Sequence, residues 1–396
     1  MKPKYPSVTE KARLDILDQI TRSIEAHFAH WQDARIMPAE LAGEHDRFAD
    51  LIRQSDGNRK QFSLQMMAFL SLLNNGHTRF YDPWLAQLPP LGMTLHENGG
   101  EWLVTGSLIH ELEPGDVVEQ IEGKAVSDWL QELQPYLVGS PQSKTVQFGD
   151  WNSVFPPVLG LLLPDKYTVT FRDNADRMNE LNINRSQLVP DNAEKETEGR
   201  WCAECVAYLK IPSFFQPIFE ERALALLEEF KDSHNLIVDI RGNAGGSTPR
   251  ALLKALMNQP YRLWAYQTIT SGEIVESEQV APESEAYAGK LYLLTDRRTW
   301  SAAEDFAMPF YDTGRGVLAG ETTGGSTGQP FFHGFDNGMS FSVGAMRVYY
   351  PGGSDFEGVG IQPDITVPLT RADIYTGRDS LMEKVLGLIA DECNIF

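Results

Sequence analysis

Two segments in the C-terminal half gather the residue types that acyl transfer uses. In residues 291–312, LYLLTDRRTWSAAEDFAMPFYD, an apolar run enters a short polar loop. Ser301 then opens a helical pattern with Ala303, Phe306, Ala307 and Phe310 on one face. A helix N-terminus presents free backbone N–H groups and the positive end of the dipole, so a serine there sits where an oxyanion is stabilised. The same position is the commonest home of a serine that merely caps a helix, and position alone favours the cap. In residues 236–249, LIVDIRGNAGGSTP, a strand pattern ends at Asp239-Ile240-Arg241 and enters Gly242-Asn243-Ala244-Gly245-Gly246. Such glycines let backbone N–H groups approach a ligand closely. Neither GxxxxGK[ST] nor GxGxxG occurs here, so a phosphate loop is not indicated, and read alone the segment is a tight turn after a strand.

Other candidate groups carry less. His27 and His30 have a helical metal-pair spacing, but no HExxH motif accompanies them. Cys202 and Cys205 form one CxxC with no second pair, which favours two small side chains beside a strand over a zinc site. Gly324-Gly325-Ser326-Thr327-Gly328 fits G-x-S-x-G literally, yet Gln329-Pro330 follows where a helix is required. Asp239 and Arg241 are expected to pair structurally under the glycine loop.

Three textures along the chain would position these groups. Leu14, Leu17, Ile20, Ile24, Phe28 and Trp31 recur at helical spacing across 9–31. Further helices are expected at about 48–54 and 61–73, the last stopped by Asn74-Asn75-Gly76 with His77 directly after. From Leu88 short alternating runs begin: MTLHENGGEWLVTG predicts a hairpin turning at Asn98-Gly99, and Val117, Val118 and Ile121 a short strand before a Glu122-Gly123 turn. After a charged, linker-like stretch at 192–199, the apolar runs CVAYLKIP, NLIVDIRG, KLYLLTD, RGVLAG and SFSVGAMRVYY alternate with helices at 219–230, 248–257 and 301–312. Such alternation means a sheet with helices laid on it.

The 396 residues suffice for two or three domains, and 42% hydrophobic against 22% charged residues is a globular composition. With 34 Lys plus Arg against 55 Asp plus Glu, the net charge of −21 repels a phosphate backbone, so nucleic acid is not an expected partner. The most apolar stretch, VFPPVLGLLLP at 154–164, is too short and proline-broken for a bilayer span. The start MKPKYPSVTEKARL has no apolar region behind its positive charge, so the expected compartment is the cytoplasm, or the periplasm or exterior if a leader has been removed.

Four segments in order carry a resemblance: DIRGNAGG (239–246), TWSAAE (299–304), LAGETTGG (318–325) and GVGIQPDITV (358–367). They resemble DLRGNPGG, T-A-S-A-S/A-E, VGE-x-T-x-G and GVGI-x-PDI of the C-terminal processing (tail-specific) peptidases, a serine peptidase family. The passage 112–126, LEPGDVVEQIEGKAV, resembles the second half of a PDZ domain in shortened form. The resemblance implies an α+β fold with a crotonase-like core at 191–396, an N-terminal helical region at 1–86 and a PDZ-like β insert at 87–190. It places the nucleophile at Ser301 and reverses the capping preference. The lysine base of the processing peptidases falls at Ser326, with no lysine nearby. The tricorn-like branch of the family instead uses a histidine in a GHT motif before the PDZ-like insert, and Gly76-His77-Thr78 matches it. That branch also has a glutamate before its GVG run, here Glu357, and a serine beside the histidine, which Gly76 does not match.

These roles make coherent chemistry. A histidine base near neutrality activates the serine hydroxyl, and a carboxylate behind the ring fixes its tautomer and stabilises the imidazolium. The implied catalytic set is Ser301, His77 and Glu357, with Glu304 as a competing orienter, and the oxyanion held by N–H of Ala302 and of Gly245 or Gly246. No metal or organic cofactor is expected. The implied activity is that of a serine peptidase acting through an acyl-enzyme on peptides or unfolded C-terminal tails, with the oligomeric state left open. The alternative is a non-catalytic small-ligand or peptide-binding protein on the same fold. An unperturbed histidine base predicts an acid limb of kcat/KM at roughly pH 6–7.

Overall fold

The computed structural model describes residues 7–149, 158–189 and 195–393, in two compact units. The first comprises Met1–Asp191, Thr268–Gly272 and Gln329–Arg347; the second comprises Asn192–Gln267, Glu273–Gly328 and Val348–Phe396.

In the first unit, helices Glu10–His27, Leu41–Gln54 and Arg59–Ser71 bury Leu17, Ile20, Ile24, Ile52, Phe62 and Phe69 against one another. Thr9 caps the first by accepting from the Ala12 N–H, and Asn58 caps the third by accepting from Lys60 and Gln61. The first helix ends earlier than its apolar pattern predicts, because Phe28 turns extended (φ −68, ψ 115) while its side chain stays in the core. After these helices the chain forms an antiparallel sheet of Met93–Asn98, Glu101–Ser107, Val117–Ile121, Lys166–Arg172 and Met178–Asn184. The expected hairpin is present, with its turn one residue later than predicted: Asn98 pairs with Glu101, and Gly99 and Gly100 both take positive φ (61 and 92). Part of the apolar stretch at 154–164 lies outside the described residues; Val158–Leu162 within it is a short helix.

One correction concerns the extent of this unit. The sequence reading assigns all of 191–396 to the core, yet the strands Pro330–Gly334 and Ser340–Gly344 cluster with the N-terminal helices. Arg79–Tyr81 pairs antiparallel with Ser340–Gly344, which places Phe341 and Val343 in the helical core beside Phe80. The run SFSVGAMRVYY therefore breaks at Gly344, where a Cβ would lie 2.5 Å from the Asn75 side chain, and resumes as Arg347–Tyr349.

The second unit is built on a sheet in the order Ile365–Thr366, Val317–Gly320, Lys290–Thr295, Asn235–Asp239, Val206–Lys210, Glu198–Ala203. All neighbours are parallel except the last pair. Strands covered on both faces read as unbroken apolar runs, as Asn235–Asp239 does with every residue buried. Helix Ser380–Cys393 covers one face through Leu381, Met382, Val385 and Ile389. The stretch expected as a linker is partly strand, since Glu198 and Gly199 pair with Lys210 and Leu209. Cys202 lies on that edge strand and Cys205 just past it, each half-buried. Among the described residues no helix is long and apolar enough to cross a membrane.

Candidate active site

Parallel neighbours Asn235–Asp239 and Lys290–Thr295 send their following loops out at the same edge of the sheet, where open parallel sheets hold ligands. Hydrogen bonds then join the two loops. Asp296 accepts from the N–H of Gly242, Arg298 and Thr299 at 2.9, 3.0 and 2.9 Å, and the Trp300 N–H donates to the Asn243 carbonyl. The Asn243 amide donates to the Ile211 carbonyl, anchoring the glycine loop in the interior. Arg241 forms the expected pair with Asp239 (2.6 Å) and reaches Asp379 at 2.7 Å as well.

These joined loops deliver Ser301 to the N-cap of helix Ala302–Thr313 in an unusual conformation, φ 56 and ψ −126. An ordinary cap is extended, and a non-glycine residue at such angles stores strain that surrounding structure must hold. Gly245 shows how closely that holding is done. A Cβ there would lie 2.7 Å from the Trp300 carbonyl oxygen and 2.8 Å from both the Ala302 nitrogen and the Ser301 Cβ. Ala302, as the first helical residue, has no intrahelical acceptor for its N–H. The two glycines differ in what their amides do. Gly245 N–H donates to Asn243 Oδ1 at 2.9 Å, whereas the Gly246 amide has no acceptor among the described residues. Gly245 is thus a packing position beside the serine, and its amide is already used.

Glu304, three residues into the helix, is fully buried. Its carboxylate accepts from Thr323 Oγ1 (2.5 Å) and from the N–H of Gly325 (2.7 Å), Ser326 (3.1 Å) and Ser301 (3.2 Å). Burial pushes its pKa up to about 8, with the nearby Glu357 charge adding to the rise and these donors opposing it. Four donors make Glu304 a clamp between the serine turn and the 323–326 loop. The capping-box spacing of Ser301 and Glu304, S-x-x-E, is the sequence signal by which it could have been found.

The 323–326 loop is also zipped to the GVG run. Ile361 N–H donates to Thr323 Oγ1, Thr323 N–H to the Ile361 carbonyl, and Gly358 N–H to the Gly325 carbonyl. Glu357, half-buried beside this zipper, accepts from Ser326 Oγ at 2.7 Å. Ser326 therefore occupies the expected lysine slot and holds the second carboxylate. No helix follows it; the next element is the strand Pro330–Gly334, so the G-x-S-x-G resemblance is incidental.

His77 lies in the first unit, buried, in a turn fixed through its backbone. Its N–H donates to Asn75 Oδ1 (3.0 Å), and its carbonyl accepts from Ser342 Oγ (2.6 Å). Thr78 Oγ1 donates to the same Asn75 oxygen and accepts from the Gly344 N–H. The GHT turn is thus stapled to strand Ser340–Gly344. Burial, then the charges of Arg79 and His30, hold the His77 ring at a pKa of about 3. This departs from the ordinary ring behind the pH 6–7 expectation: His77 is neutral across the physiological range. His30, also buried and held at about 3, hydrogen-bonds the Met346 carbonyl through Nε2, while His27 stacks on Phe331 at 4.1 Å. The two histidines with metal-pair spacing therefore have separate structural partners. The structure brings Ser301, Ala302, Gly245, Gly246 and Glu357 into the second unit and keeps His77 in the first.

Comparison with known proteins gives this geometry a context. Residues 205–367 match the pattern of Peptidase family S41. A tail-specific protease of Haemophilus influenzae is 30% identical over 148 residues, 35% of this chain and 20% of that protein. A chloroplastic C-terminal processing peptidase of Tetradesmus obliquus is 28% identical over 272 residues, 67% of this chain and 52% of that protein. The chain thus spans about half or less of the length of these curated relatives. A solved structure of mature CPAF complexed with lactacystin superposes with a TM-score of 0.74 at 17% identity, covering 98% of this chain and 99% of that one, a likeness of fold. The four sequence segments and the strained serine they converge on all lie within residues 205–367, the stretch of this chain that is similar to Peptidase family S41.

Proposed function

We propose that this protein is a serine peptidase that cleaves peptides or unfolded C-terminal tails through an acyl-enzyme on Ser301. The observation that carries the reading is the Ser301 turn: a partly exposed serine, strained at φ 56, beside the Ala302 N–H that has no intrahelical acceptor and packed against Gly245. In this reading Ser301 Oγ attacks the scissile carbonyl carbon while His77 takes the hydroxyl proton. The tetrahedral oxyanion is received by N–H of Ala302 and Gly246. Collapse breaks the C–N bond, and the departing amine leaves with the proton from His77; water then repeats the sequence on the acyl-enzyme. Glu357 is assigned as the carboxylate behind the imidazole. A ring as hard to protonate as His77 benefits from such a partner, because the imidazolium otherwise forms in a buried site beside Arg79.

The same reading divides the chain into an N-terminal helical region at 1–86, a PDZ-like β insert at 87–190 and a crotonase-like core drawn from 191–396 without the strands Pro330–Gly334 and Ser340–Gly344. The parallel sheet with its helices supports the core assignment, and the shortened Val117–Ile121 hairpin supports the insert. The test is a fluorophosphonate probe applied to the folded chain, with the modified peptide mapped and cleavage of an unstructured peptide followed in parallel. Adduct at Ser301 with turnover that its modification abolishes is the expected result. A folded sample that is neither labelled nor active would favour a binding protein on this fold.

A further inference from the structure

Ser326 makes three bonds that link separate parts of the site. Its hydroxyl donates to Glu357 Oε1 at 2.7 Å, its carbonyl accepts from the Ser301 N–H at 3.2 Å, and its own N–H donates to Glu304 Oε2 at 3.1 Å. One buried residue therefore ties the serine turn, the clamp beneath it and the second carboxylate together. Its backbone needs no particular side chain for two of these links. The hydroxyl makes the third.

We infer that Ser326 is a positioning residue for the acyl-transfer reaction, acting through Glu357; this rests on the reading of Ser301, His77 and Glu357 as the reacting set. A carboxylate on a glycine-rich turn, between Phe356 and Gly358 (φ 78), has rotamers to choose from, and a 2.7 Å bond from a buried donor selects one. The donor also withdraws charge from the carboxylate. Removing it leaves Glu357 a stronger base, which in that reading favours the imidazolium formed during catalysis. Loss of the hydroxyl thus has two separable consequences: a slower chemical step from a misplaced carboxylate, and an acid limb moved to higher pH.

The experiment uses the full chain and measures kcat and KM on an unstructured peptide from about pH 3 to 9, with the rate of phosphonate labelling at Ser301 alongside. Ser326→Ala is expected to lower kcat roughly 10- to 100-fold with KM little changed, the cost typical of a catalytic group displaced by about 1 Å. Its acid limb is expected to move upward. Ser326→Cys, nearly isosteric but a weak donor, is expected to behave likewise, and it keeps the test open should the alanine variant fold poorly. Ser326→Thr, which restores the hydroxyl, is expected to recover most of the rate. The deciding measurement is the double-mutant cycle with Glu357→Gln: in that background Ser326→Ala should cost nothing further. An equal fold-loss in both backgrounds, or an unchanged rate and limb in Ser326→Ala, overturns the inference while leaving the nucleophile assignment standing. Absence of labelling at Ser301 in the wild type overturns the underlying reading itself.

Discussion

The serine turn of the second unit and the histidine turn of the first bury ionisable groups of opposite kind, with opposite consequences. Around Ser301 the buried groups are carboxylates: Glu304 is pushed up to about 8, and Asp305 is raised as well, each by burial. Both are met by donors, four at Glu304 and three at Asp305, from Thr248, Thr327 and Trp264. Around His77 the buried groups are imidazoles and guanidiniums, and His77 and His30 are pushed down to about 3 by burial with Arg79 and Arg347 as further causes. Desolvation disfavours the charged form in both places, so it raises an acid and lowers a base. One turn meets its buried carboxyl groups with donors, and the other keeps a buried ring neutral.

The largest effect should separate chemistry from scaffolding. Ser301→Ala and His77→Ala should each lower kcat/KM by about 10³-fold or more, as removal of a reacting group does, while melting temperatures change little. A His77→Ala variant that keeps its rate and acid limb would retire histidine as the base. With a ring held near 3 in the free protein, the acid limb of wild-type kcat/KM is expected below the pH 6–7 of an ordinary histidine.

A methyl group at Gly245 comes next. Its Cβ would press within 2.8 Å of Ser301 and Ala302 at φ 92, so Gly245→Ala should cost about 10²-fold in kcat by displacing the nucleophile. Phosphonate labelling of that variant at the wild-type rate would show that the close packing is idle.

Opposite burial predicts opposite pH slopes of stability. His77 and His30, lowered in the folded state, contribute stability that is present above their unfolded value of ~6.5 and lost as pH falls toward 3. By pH 5 the loss is about 2 kcal/mol for each, in the first unit. Glu304, raised in the folded state, contributes stability that is present below its unfolded value of about 4.5 and lost as pH rises through about 8. Hydrogen exchange of helices Glu10–His27 and Ala302–Thr313, corrected for intrinsic rates between pH 5 and 8, should change in opposite directions. Parallel changes would break the contrast.

The smallest expected effect serves as a control for Gly245. Gly99 also has positive φ (61), but a Cβ there meets nothing within 4 Å. Gly99→Ala should cost about 1 kcal/mol of stability through backbone strain alone and leave kcat untouched. Thermal unfolding and a single turnover assay read both.

Much of this molecule is local in origin and was legible. Helical spacing around Leu17, Ile20 and Ile24 located the first helix, and apolar runs such as NLIVDIRG located the buried parallel strands, because periodicity and burial act over a few residues. The motif segments indicated Ser301, and the structure added the reason two of them occur together: Asp296 and Asn243 bond the loops into one turn. Where strand SFSVGAMRVYY would break was not legible. Its end at Gly344 depends on Asn75, 269 positions earlier in the sequence, and no local pattern encodes such contact.

The site divides in the same way. Sequence by itself determined which residue types were available: a serine opening a helix, glycines after a strand, a histidine after a helix stop, and a serine where a lysine was sought. Tertiary structure decided what each does. It spent the Gly245 amide on Asn243, made Glu304 a clamp, handed Glu357 to Ser326, and lowered the His77 ring by enclosing it with Arg79 and His30. Hydrogen-bond partners and desolvation depend on what is packed within a few ångströms in space, and those neighbours come from distant parts of the chain.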